Sequence, residues 1–144
     1  MKKLLVFFLL IFTVVSCDND DDATNQTVCN YQGFSYFDTN NNDQSIVAES
    51  ELNTQYFPNA SNGPFGAPGV EIASFSSSPT IFFTTNVINL NEVGSGYFLL
   101  NGIEEVGVVV TCQRAGSAVG DEIRYDIVYG GVEVEFCVTI DEVL

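Results

Sequence analysis

From residue 28 onward, apolar residues come in short runs separated by clusters of Gly, Pro, Asn and Asp, a punctuation that predicts β-strands. Residues 28–37 (VCNYQGFSYF) are aromatic-rich and run into the turn-prone DTNNND. GVEIASFS and TIFFTTNVINL each predict a strand; the second is apolar on both sides and so belongs at the centre of a sheet. Residues 45–57 (SIVAESELNTQYF) are the one stretch read as holding a short helix, around 48–55, ahead of the loop PNASNGPFGAP.

The last fifty residues predict two hairpins. Asn101-Gly102 stands between two apolar runs, and both residue types accept the positive φ of a type I′ turn. Gly130-Gly131 does the same between EIRYDIVY and VEVEFCVTI. With Tyr129 facing Val132, the pairs Ile127–Val134, Tyr125–Phe136 and Ile123–Val138 all fall on one apolar face. A slip of one residue would scatter them, so the register is well specified. Seven or eight such strands predict an all-β fold, an antiparallel sandwich or small barrel.

The first residues follow a different pattern. Lys2 and Lys3 precede the apolar run LLVFFLLIFTVV, then Ser16, Cys17 and the acids of DNDDD. That order is a secretory signal, and twelve apolar residues fall short of the roughly 20 that a spanning helix needs. The segment VVSC resembles the lipobox of bacterial lipoproteins, in which the cysteine is diacylated and becomes the new N-terminus. The resemblance implies a signal peptide over 1–16, lipidation at Cys17, an acidic tether over 17–27 and one β domain over 28–144. Acyl chains anchor through about 0.8 kcal/mol per buried methylene. The acidic run also resembles the export signal of surface lipoproteins in some Gram-negative bacteria, which implies a palmitate-bearing protein facing outward from the outer membrane. An Asp directly after the cysteine resembles the inner-membrane retention signal of enteric bacteria as well. Four acids within five residues exceed what retention needs.

Charge narrows the partners. Without residues 1–16 the chain keeps all 19 acids against Arg114 and Arg124, a net charge of −17. Nucleic acid and anionic lipid are repelled; cations, basic proteins and neutral glycans are not. Two cation sites are therefore candidates. Residues 38–49 match the calcium loop D-x-[DN]-x-[DN]-G-x5-E at Asp38, Asn40, Asn42 and Glu49, with Asp43 in place of the turn glycine and a strand where an entering helix belongs. On the outer face of the last hairpin Asp126 opposes Glu135, with Glu133 close by; calcium would turn that repulsion into attraction, and water alone would screen it.

The remaining cysteines predict one disulfide and one leftover thiol after export: Cys137 with Cys112, if the strands lie in different sheets, or Cys137 with Cys29, if the first strand docks beside the last. Catalysis is constrained by what is missing. There is no His in the chain and no Lys beyond Lys3, which removes histidine-assisted nucleophiles, imidazole zinc sites and Schiff bases. A small glycoside hydrolase working with two carboxylates survives that filter, as does a calcium-stabilised structural protein. The favoured expectation is a non-catalytic module that binds a glycan, a protein or another envelope component through Tyr56, Phe57 and Phe65 of the long loop.

Overall fold

The computed structural model describes Cys29, residues 31–38 and residues 43–144. Ten strands form one sheet: β1 (Gly33–Asp38), β2 (Asp43–Ala48), β3 (Leu52–Phe57), β4 (Gly69–Ser74), β5 (Ile81–Thr85), β6 (Val93–Leu100), β7 (Ile103–Arg114), β8 (Glu122–Tyr129), β9 (Val132–Thr139) and β10 (Glu142–Val143). Their order is β10-β3-β4-β5-β6-β7-β8-β9-β1-β2. β3 to β9 are a meander of sequential antiparallel neighbours, the β1–β2 hairpin extends it beside β9, and β10 pairs with β3 in parallel. Among the described residues no helix is long and apolar enough to cross a membrane.

Two features curl this sheet into a half-barrel. β2 and β3 lie far apart in the order, yet a three-residue 3₁₀ turn, Glu49–Glu51, is all that joins them. The chain after β9 crosses to β3 and locks there: the Thr54 N–H donates to the Asp141 carboxylate at 2.7 Å, and the Asp141 and Leu144 N–H groups donate to the Thr54 and Tyr56 carbonyls. The concave face is filled with side chains. Phe136 of β9 meets Phe34 of β1 at 4.9 Å between ring centroids, Phe83 of β5 at 5.2 Å and Phe98 of β6 at 6.0 Å. β5 and β9 are four places apart in the sheet, so these contacts span the interior and leave no lumen at this level.

The β8–β9 hairpin takes the register that alternation dictates, including Tyr129–Val132, Tyr125–Phe136 and Ile123–Val138, whereas β6–β7 shifts register between Gly96 and Tyr97. Their turns are left-handed, with φ of 52° and 82° at Asn101 and Gly102 and of 57° and 80° at Gly130 and Gly131. The helix expected around 48–55 is absent. Only Glu49–Glu51 turns, and Leu52 onward extends because pairing with β4, from Leu52–Ser74 to Phe57–Gly69, satisfies its backbone. That pairing outweighs the helix propensity of the Glu- and Leu-bearing stretch. Among the described residues the strand count rises to ten because this stretch contributes two strands and the C-terminus a short one.

Candidate functional site

The outer face of β7, β8 and β9 is built by alternation. Tyr125 and Ile127 point into the core, so Arg124, Asp126 and Val128 must point out, opposite Cys137, Glu135 and Glu133 of β9. The expected Asp126–Glu135 confrontation is therefore real, and Arg124 resolves it. Its guanidinium donates to Glu135 at 2.6 Å and reaches Asp126 at 3.5 Å. Burial pushes the Glu135 carboxyl above the usual carboxylate range and Asp126 adds to this, while Arg124 pulls the other way. The fold brings Asp126, Glu133 and Glu135 together around one hollow, with Arg124 set among them. Arg124 pairs with two of these three carboxylates, and Glu133 is the one of the three with no ion pair among the described residues. Ser35, Arg124, Asp126, Glu133 and Glu135 line a hollow of about 170 Å³.

The sign of the pH dependence follows. A carboxylate whose folded pKa is raised opposes folding when ionised, and that penalty fades as pH falls through the folded value. Replacing Arg124 by Gln removes the influence that lowers it. Arg124→Gln is therefore expected to cost about 2 kcal/mol at pH 7, with the deficit shrinking as the pH is lowered toward 5. Urea unfolding of both proteins across that range measures it; a deficit that stays constant would show that Glu135 does not titrate with folding.

The calcium-loop residues separate. Asn40 and Asn42 lie outside the described residues, as does Cys17. Asp38 and Glu49 belong to opposite ends of the β1–β2 hairpin, since Asp38 pairs with Asp43 and Gly33 with Ala48. Five strand residues put them roughly 17 Å apart. Asp38 and Glu49 are thus not neighbours on the β1–β2 ladder. The Glu49 carboxylate accepts the Thr139 N–H.

Of the two disulfide pairings, the fold makes Cys29–Cys137, with Cα atoms 5.8 Å apart. Cys112 is excluded because it faces the core opposite Tyr125, while Cys137 lies on the other side of the sheet opposite Arg124. Burial pushes the Cys112 thiol up to about 11, and its sulfur donates to the Arg114 carbonyl, so it offers no thiolate. Glu122 sits near the disulfide, but both sulfurs there are committed to each other.

The three loop aromatics part company. Phe57 is buried and Tyr56 lines a separate groove with Ile88 and Ala115, whereas Phe65 stands 68% exposed. It does so at φ 56°, a left-handed backbone that an aromatic residue adopts only when its surroundings impose it. Asn86 imposes it: its amide nitrogen donates to the Pro64 carbonyl at 2.8 Å and the Pro68 carbonyl at 2.9 Å. Asn86→Ala is expected to lower stability by about 1–2 kcal/mol and to speed hydrogen exchange at Gly66 and Ala67. Unchanged exchange there would mean that the loop holds itself.

Sequence reasoning overlooked the bridging role of Arg124 and the clamp of Asn86. The first was readable, because Arg124 precedes Asp126 by two and shares its face. The second was not, since nothing local in FFTTNV points to a contact twenty residues upstream. Comparison with known proteins adds no assignment: no family model, no curated protein and no solved structure matches this chain.

Proposed function

We propose that this chain is a lipid-anchored envelope protein, facing outward from the outer membrane of a Gram-negative bacterium, whose β domain is a non-catalytic binding module. The anchor reading is supported by the leader, Ser16 and Cys17. One observation carries the binding reading: the aromatic core fills the concave side, so what the domain offers a partner is its exterior, where Asn86 holds Phe65 out to solvent. A pinned, displayed aromatic contributes contact area without losing much conformational freedom on binding.

Radioactive palmitate tests the anchor. Label on the wild type, its loss in Cys17→Ala, and digestion by protease added to intact cells are the expected results; unlabelled native protein would overturn the anchor. A polysaccharide panel scored for retention and for reducing ends tests the module. Reducing ends would overturn it in favour of a carboxylate-dependent hydrolase. A rise in melting temperature with millimolar calcium would instead favour an ion-stabilised structural protein.

A further inference from the structure

The convex face carries an uncovered apolar band. Phe82, Tyr97, Leu99, Val106, Val109 and Val128 project outward from β5 to β8, because their neighbours Phe83, Phe98, Val108, Val110 and Ile127 point into the core. Val106, Val109 and Val128 are 79%, 50% and 41% exposed, and Val109 stands directly opposite Val128. A β-bulge between Gly96 and Tyr97 sets Val106 beside Tyr97 on this face. Phe82 lays its ring edge-on to Tyr97 at 6.0 Å, so the band is a continuous surface across three strands before it reaches Val128.

Acids frame it. Glu104 opposes Leu99 and accepts the Tyr97 hydroxyl at 2.8 Å, Glu71 opposes Thr84 beside the band, and Glu133 opposes Val128. The nearest cation, Arg124, is already held by Glu135 and Asp126. Where band and frame meet, Val109, Val128, Asp126 and Glu133 line a groove of about 250 Å³ together with Thr111 and Gln113. Valines beside carboxylates in one groove suit one kind of side chain, a long one with methylenes to bury and a cationic head to pair, as in Lys or Arg. A second copy of this chain would bring the same carboxylates and the same net charge of −15, so the face is ill suited to self-association.

We propose that the outer face of β5 to β8 docks an extended, basic and apolar polypeptide, with a Lys or Arg side chain lodged between Val109, Val128, Asp126 and Glu133. The proposal rests on the binding-module reading and names its partner class. The test uses the mature protein and three fluorescent octapeptides: alternating Lys and Val, alternating Lys and Ser, and alternating Glu and Val. The Lys–Val peptide is expected to bind at least ten-fold more tightly than the Lys–Ser peptide, and the Glu–Val peptide not at all. Val109→Ser with Val128→Ser, or Asp126→Asn with Glu133→Gln, should each weaken the Lys–Val peptide at least ten-fold; only the second pair should flatten the salt dependence. Amide shifts in the unaltered protein on adding this peptide should cluster at Val109 and Val128, a readout independent of how the variants fold. Equal affinity for Lys–Val and Lys–Ser, shifts elsewhere, no binding, or a dimer that Val109→Ser with Val128→Ser abolishes would each overturn the proposal. Palmitate labelling separates the two readings: an unlipidated chain that still binds sinks only the anchor, and a lipidated chain indifferent to all three peptides sinks only this docking face.

Discussion

Phe136→Ala should lower the free energy of unfolding by about 3–5 kcal/mol, a large part of what a domain of this size commands. The ring is fully buried and touches Phe34, Phe83 and Phe98, which come from three other strands. Truncation leaves a void bounded by parts of the sheet that are not free to close on it, because β5, β6 and β1 are each held by ladders of their own. The outward Val106→Ala serves as the control and is expected to stay within about 0.5 kcal/mol of wild type. Urea unfolding with matched slopes decides the matter. A loss at Phe136 below about 1.5 kcal/mol would mean that the opposing walls do not depend on this ring for contact.

Loss of the Cys29–Cys137 bond ranks beside it. The bond closes a loop of 108 residues, for which the chain-entropy argument gives about 4–5 kcal/mol, and measured losses of native disulfides run at about 2–5. Cys29→Ser is expected to cost about 3–4 kcal/mol, and a reductant should bring the wild type down to the level of the variant while leaving the variant unmoved. Cys112 does not confuse that comparison. Its thiol is buried, faces the other side of the sheet from Cys137 and is pushed up to about 11, so it is a poor exchange partner at neutral pH. If reductant left the wild-type melting temperature where it was, the bond would carry no stability.

The C-terminal half was readable because two constraints agreed there. Turn residues fixed where the chain reverses, and strict alternation fixed which face is buried, so the β8–β9 register and the outward placement of Asp126, Glu133 and Glu135 followed directly. The N-terminal part lacked that agreement. Residues 48–55 carry helix-favouring Glu and Leu, and their extended form is imposed by β4, a partner that local sequence does not reveal. At 38–49, spacing along the chain gives proximity only if the backbone turns back within it, and β1 and β2 carry Asp38 and Glu49 apart. The choice between Cys112 and Cys29 likewise needed strand order, since β1 reaches β9 only across the sheet. The apolar band was hidden for a subtler reason. In VGVVVTC the bulge breaks the alternation, so Val106 and Val109 share a face although they are three residues apart.

The route by which tension enters the molecule follows from where the disulfide sits. Cys29 precedes the first strand, and its bond leads to Cys137 within β9, which is flanked on both sides by β8 and β1. A pull on the chain upstream of Cys29 therefore bypasses the β1–β2 ribbon, which would otherwise peel away one hydrogen bond at a time. The load passes to an interior strand whose ladders on either side must shear together, so an oxidised molecule resists traction that a reduced one would yield to from its end.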